Sequence, residues 1–544
     1  MSDAPADITL PYGLAAMLAP IAAQFGITLP GMGRIAPTID AAQPMRALAL
    51  EVGRLVSRQN IFLKGDEIVT VEADTGRMRR MTARRFSGWL EEFAAVKAGP
   101  RQRRDSLAAE DTAQILETDI FRGCLRPLAA IHTMRLPVLR KSGAVEFLDA
   151  GYDAETGIFT APHLPYAMDW TLDRATTFLN AHGAEYCFTW RDDQPGRDVS
   201  QNRNWAVQIA AMLGIYCAAM FEPGTPRPII LYVGNKPGTG KSTLAAMALM
   251  PVHATAAATA IPKDDDRLIS ALEAIARTRR PDVFFDDVAG GLFNNALYEF
   301  VLSRSHAGRV MGGNAEIFEE PNVTQVFATG NDIRFDENLK RRVLVVELFL
   351  DTEVRGRRFK RVINTTYLAR PDVRADFLSA LCAIVKHYAA KMTAGPSLEA
   401  IPASQPLESF ETWSAEISQM VQLAGYCDPL AAPNLAGAGA LDDDEMKDML
   451  IAVASAAPGS CVFSRRELVD AARELGVLES IVGAKGDPDP DQAATKRWGR
   501  QLGKYRGQIY LDEKGRRFRF SHRRQKTGAT YPLNFLVPED AEKH

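Results

Sequence analysis

The stretch LYVGNKPGTGKSTLAA, residues 231–246, decides the fold. The apolar, β-rich run PIILYV (228–233) leads into it, and STLAAMALM favours helix on leaving it. A Gly-rich loop therefore sits where a strand feeds a helix N-terminus. Free backbone N–H groups and the helix dipole attract phosphate oxygens at such a junction. Gly238 and Gly240 let the backbone curl around a β-phosphate, between Pro237, Thr239 and Thr243. Lys241 is expected to reach the β/γ oxygens of ATP, and Ser242 to ligate Mg²⁺. The pattern G-x-x-x-x-G-K-[ST] finds Asn235 at its first position, with Gly234 one residue early. Asn tolerates a left-handed backbone better than most non-Gly residues, so the loop still closes.

RRPDVFFDDVAGG (279–291) supplies a partner. Its apolar run ends in Asp286 and Asp287, as a buried strand delivers carboxylates to its C-terminal edge. Asp286 is expected to hold Mg²⁺ through water, and Asp287 to orient and deprotonate the attacking water. In VTQVFATGNDIRFDENLKRRVLVVEL (323–348), another buried strand ends at Asn331, placed to hydrogen-bond that water or the γ-phosphate. Arg341 and Arg342 precede a further strand. A planar, permanently charged guanidinium stabilises charge on a transferring phosphoryl group. The bland reading of the pair is a solvated strand edge.

A chain of 544 residues, 46% of them apolar, exceeds one ordinary core and reads as a soluble multidomain protein. Six scattered Cys with no C-x-x-C pair argue against zinc or a disulfide framework and for the cytoplasm. No stretch has the roughly 18–20 clean apolar residues of a membrane span. The expected organisation is a mixed α/β region over 1–200, an α/β ATPase core with a parallel sheet over 201–395, a helical connector over 396–440, and a basic module over 441–544. SRRELVDAARELGVL (464–478) reads as a Ser-capped helix. QAATKRWGRQLGKYRGQ (492–508) reads as a second, with Lys496, Arg500 and Lys504 on one face. IYLDEKGRRFRFSHRR, which includes Arg517 and Arg519, alternates around a Lys–Gly turn like a hairpin. Helix, helix and basic hairpin suggest a winged helix binding DNA phosphates.

The order of phosphate loop, paired acids, strand-end Asn and Arg eleven residues on resembles the AAA+ ATPases of helicase superfamily 3. LPVLRKSGAVEFLDAGYDAETGIF, PNVTQVFATGND and SFETWSAEISQMVQLAGYCDP are similar to segments of phage, satellite and plasmid replication proteins, and the resemblance runs from about residue 110 to the end. It implies a P-loop AAA+ core and a hexameric ring with active sites between subunits. It also implies action on single-stranded and forked DNA in replicating a mobile element. The acids Asp149, Asp153, Asp192 and Asp193 form no primase constellation, so a separate primase or host replication proteins are the further partners expected. Within the resemblance, SHAGRVMGGNAEIFEEPN (305–322) is the DNA-contacting hairpin. RVM and AEIF are its expected strands, Gly312, Gly313 and Asn314 its turn, and His306 and Arg309 its nearest DNA contacts. An ATP-regulated, sequence-specific initiator is the alternative, and a small-molecule kinase a third reading.

Overall fold

The computed structural model describes residues 38–91, 94–97, 103–104, 106–161, 164–190, 198–234, 237–262, 264–288, 295–309, 317–331, 341–350, 359–393, 406–431, 440–457, 459–478, 482, 509–511, 514, 516–520, 523–525 and 528–535. Asn235, Lys496, Arg500 and Lys504 lie outside the described residues. Among the described residues, no helix is long and apolar enough to cross a membrane.

The chain divides into two compact units. The first holds residues 1–170, 216–222 and 374–395, and the second the remainder. In the first, a sheet runs Met78–Arg80, Glu67–Val71, Ile61–Lys64, Arg126–Pro127. Helices Met45–Val56, Ala83–Glu91 and Ala109–Glu117 pack with it around Leu48, Val52, Phe86, Ile115 and Phe121. Short strands Pro137–Leu139, Val145–Phe147, Gly151–Asp153 and Ile158–Thr160 follow, as Gly and Asp punctuation predicts. Asp153 is engaged structurally here, accepting from Arg140 Nη1 at 2.8 Å and from the Thr156 hydroxyl at 2.8 Å. Asp149 pairs with Arg135 at 2.5 Å.

The second unit is built on a five-stranded parallel sheet: β1 Ile229–Gly234, β2 Ala258–Thr259, β3 Asp282–Val288, β4 Gln325–Asn331 and β5 Val343–Leu348. Its order is β2-β3-β4-β1-β5. Every β1 residue is buried, as a continuous apolar run demands of a strand covered on both faces. One face carries Leu231, Val233, Phe285, Val326 and Val345 against helices α2 (Asp265–Arg277) and α3 (Asn295–Leu302). Helix α1 (Lys241–His253) packs on β1 and β4 and is apolar nearly all round, so it too is buried. The Tyr232 hydroxyl donates to Gln208 Oε1 at 2.8 Å, and Gln208 Nε2 donates to the Leu244 carbonyl at 3.1 Å, fastening helix Arg203–Tyr216 to α1.

Residues 171–215 belong with this unit because Phe188 bridges Leu348, while Thr189 N–H donates to the Glu347 carbonyl at 3.1 Å. The C-terminal residues build smaller cores of their own: Met446, Leu450 and Leu468 in one, Ala454, Phe518 and Leu533 in another. Helix Arg465–Leu475 begins at Ser464 with a reciprocal capping box to Glu467. Strands Ile509–Leu511 and Arg517–Phe520 pair antiparallel as the hairpin, and Gly528–Phe535 joins Arg517–Phe520 to Cys461–Ser464.

Candidate active site

Because β4 inserts between β1 and β3, the carboxyl ends of three strands open a crevice where α1 starts. Ligands of open parallel sheets bind at such a switch point. Gly238 (φ 83°) and Gly240 (φ 106°) adopt the left-handed conformation that turns the chain into α1. A Cβ on Gly234 would lie 2.5 Å from Thr239 Oγ1 and 3.4 Å from Lys241 Nζ, so the strand end admits no side chain there. Lys241 is the first residue of α1; it is buried, and its ammonium donates to Thr239 Oγ1 at 3.4 Å. Burial pulls its pKa below the usual lysine value, against the raising effect of Asp287 and Asp286.

The strand ends converge on this loop. Ser242 Oγ donates to Asp286 Oδ1 at 2.7 Å, and Thr329 Oγ1 donates to the same oxygen at 2.5 Å. Thr329 Oγ1 in turn accepts from Asp287 N–H at 2.9 Å. The β3–β4 register shifts between Phe285 and Val288, and Asp287 stands at φ 53°. A left-handed non-Gly residue costs on the order of 1–3 kcal/mol, and the bulge turns both acids toward the exposed edge. Asn331 is the last residue of β4, directly beside Gly234. Asp286 and Ser242 offer hard oxygens at one point, the donor chemistry Mg²⁺ takes when phosphates and water complete its shell. Among the described residues, no three His, Cys, Asp or Glu side chains gather for a metal.

Three groups beside the loop escape a motif reading. Tyr186 lies against Gly240, where a Cβ would meet its ring at 3.1 Å. Cys187 Sγ donates to the Thr239 carbonyl at 3.6 Å. Glu347, paired in register with Val233, accepts from Thr189 Oγ1 at 3.0 Å and is pushed by burial to a pKa of about 7. The single Glu in VLVVEL is its only trace in the sequence.

Arg341 and Arg342 occupy the opposite end of the sheet. The Arg342 carbonyl accepts from Ile229 N–H at 2.9 Å, at the start of β1. Five residues of β1 at about 3.3 Å each separate that end from Gly234, on the order of 17 Å. The Arg342 guanidinium lies over the Tyr298 ring at 5.0 Å. Arg341 is exposed, 3.8 Å from Glu408, an ion pair of the weak surface kind. Neither arginine reaches the Gly-rich loop at the head of α1.

The hairpin also differs from expectation. Its strands are Ser305–Arg309 and Ile317–Pro321, four residues earlier and two later at their starts than RVM and AEIF, and 310–316 lie outside the described residues. The His306 ring stacks on Phe300 with centroids 4.3 Å apart and burial lowers its pKa, so it packs the hairpin base. Arg309 ends the first strand. In the C-terminal sheet, positions 517 and 519 alternate with the buried Phe518. Lys514 Nζ donates to the Ser455 carbonyl at 2.9 Å and Arg516 Nη2 to the Ala454 carbonyl at 3.0 Å. Those two cations satisfy the end of helix Ala440–Ala456, where the dipole favours them.

No family model matches the chain, and no curated protein matches it. Among solved structures, it is similar to the A form apo structure of the NrS-1 C terminal region, at 10% identity and a TM-score of 0.37, covering 88% of this chain and 96% of that one. A further apo structure of the NrS-1 C terminal region gives 11% and 0.36 over the same shares. The JCV helicase, bound to a thiazolopyridinyl-phenoxyphenyl acetamide, gives 16% and 0.21 over 47% of this chain and 66% of that one.

Proposed function

We propose that this chain is an ATP-hydrolysing, ring-forming DNA helicase or translocase of the superfamily 3-like AAA+ type, serving replication of a mobile element. The convergence of Ser242, Asp286, Thr329 and buried Lys241 at the mouth of a parallel sheet carries the reading. Lys241 supplies a point cation to the β/γ oxygens. Ser242 and Asp286 would hold Mg²⁺, which when bound with ATP offsets charge on the phosphate chain. Asp287 takes the proton of the attacking water at its carboxylate, and Asn331 aligns that water. Asp287→Asn is expected to bind ATP normally and to lose roughly 10²-fold or more in turnover, the scale of a general base. Nucleotide binding by fluorescence and phosphate release on one sample check it; wild-type turnover moves the base elsewhere.

The C-terminal cores are separate from that of the sheet, so the basic module is read as a winged-helix DNA grip whose removal spares the ATPase. Truncation from about residue 440 should weaken duplex binding and flatten its salt dependence, since each lost phosphate contact removes about 0.9 from the log–log slope. An unchanged slope places the main phosphate contacts in the ATPase core. Strand displacement on forked DNA separates the helicase from an ATP-regulated initiator, and a monomeric particle would favour the kinase reading.

A further inference from the structure

The first unit carries a concave groove that the ATPase reading does not use. It encloses about 890 Å³ between strand Met78–Arg80 and helix Ala83–Glu91. Five arginines line it (Arg77, Arg79, Arg80, Arg84 and Arg85) against one carboxylate, Glu72. Glu72 is taken up by Arg79 at 2.6 Å and by the Thr75 hydroxyl at 2.8 Å. Arg80 lies 3.4 Å from Glu67, and Arg85 Nη1 donates to the Arg80 carbonyl at 3.1 Å, tying helix to strand. All five arginines are exposed.

The remaining wall has a different chemistry. Trp89 is half-buried, anchored on the core beside Phe86 with ring centroids 5.8 Å apart. Four residues before it on the helix is Arg85, and four residues before Gly88 is Arg84, so both arginines share a helix face with the aromatic and open parts of the wall. A Cβ added to Gly88 meets nothing within 4 Å. The side-chain amides of Gln59 and Asn60 complete the lining.

We propose that this groove grips the sugar–phosphate backbone of single-stranded nucleic acid, with Trp89 as a stacking surface for a base. Guanidinium forks bind phosphate oxygens bidentately, and five of them in one concavity hold several phosphates rather than one anion. The volume is that of a small-molecule pocket, enough for a few unpaired nucleotides and too small for a duplex. Cations beside an aromatic wall are how sequence-tolerant strand binding is built. The proposal stands independently of the nucleotide site, and its test uses no ATP.

Fluorescence anisotropy of the full chain with labelled oligo(dT) and oligo(U) is the measurement. Arg77→Glu combined with Arg84→Glu should weaken binding about tenfold or more at low salt. It should also reduce the salt slope by about 1.4, the single-strand value for two phosphate contacts. Binding through the C-terminal module remains as background. Gly88→Glu, whose Cβ meets no neighbour and which brings a negative charge to the groove, should weaken binding as well, while Gly88→Ala should leave it at the wild-type level. A loss in the oligo(dT) arm alone assigns DNA, in the oligo(U) arm alone RNA, and in both a shared backbone grip. Wild-type affinity and slope in both charge variants, with melting temperatures retained, overturn the proposal. So does an equal loss from Gly88→Ala.

Discussion

Lys241→Ala is expected to abolish ATP turnover in a chain that still folds, a loss of at least about 10³ in kcat, the scale of one cation at a transferring phosphoryl group. The ammonium sits at the head of α1, buried and below its ordinary pKa because burial penalises its charge. It nevertheless faces Asp286 and Asp287, whose charges favour the protonated form. Deleting it leaves two carboxylates and the incoming phosphates with no local countercharge but the metal. Binding of ATP should weaken too, because the loop backbone then acts alone. Lys241→Met separates charge from packing: it keeps the aliphatic stem and should fail equally. Melting temperature and circular dichroism verify the fold. Retained turnover in either variant would remove the nucleotide assignment and with it the helicase reading, while leaving the arginine groove of the first unit untouched.

The backbone of this candidate site was legible because a Gly-rich strand-to-helix junction constrains the chain locally. Gly238, Gly240, Lys241 and Ser242 announce a strand-to-helix turn, and the structure puts left-handed glycines and a helix start at those positions. The strand bearing Asp286 and Asp287 could be read from its apolar run, yet the bulge and the left-handed Asp287 could not. A register shift depends on the facing strand, here Thr329 bonding both acids.

Glu347 escaped for a related reason. Its neighbours Thr189 and Asn204 are more than 140 residues away in sequence, Asn204 Oδ1 accepting from Glu347 N–H at 3.0 Å. Spacing from the expected tip does not reveal how His306 packs: the first strand begins four residues earlier than RVM, and the ring stacks on Phe300. The basic groove was hidden in plain sight. Nothing in the spacing of GRMRRMTARRFSGW shows that the antiparallel pairing of Thr70 with Arg79 and the following helix fold its arginines into one concavity.

Arg342→Ala should assemble and bind ATP yet hydrolyse almost none, because we assign its guanidinium to the active site of the neighbouring subunit. The parallel register fixes the argument: Ile229 pairs with Val343 and Gly234 with Leu348, so the arginine pair lies at the amino end of the sheet and the phosphate loop at the carboxyl end. A finger acting within its own subunit would have to cross the length of β1. A neighbour packed head to tail in the proposed ring would need no such reach if its loop lay against that amino-end face. A finger of this kind is worth roughly 10³–10⁵ in rate. Arg342→Lys keeps the charge over Tyr298 and loses the fork, so it should stay folded and remain nearly inactive. Mixing Arg342→Ala with Lys241→Ala should restore part of the turnover, because some mixed interfaces then join an intact loop to an intact finger. Restoration by Arg341→Ala in place of Arg342→Ala would move the finger one residue. Subunit exchange without any restoration from either arginine would exclude the trans arrangement and the ring built on it.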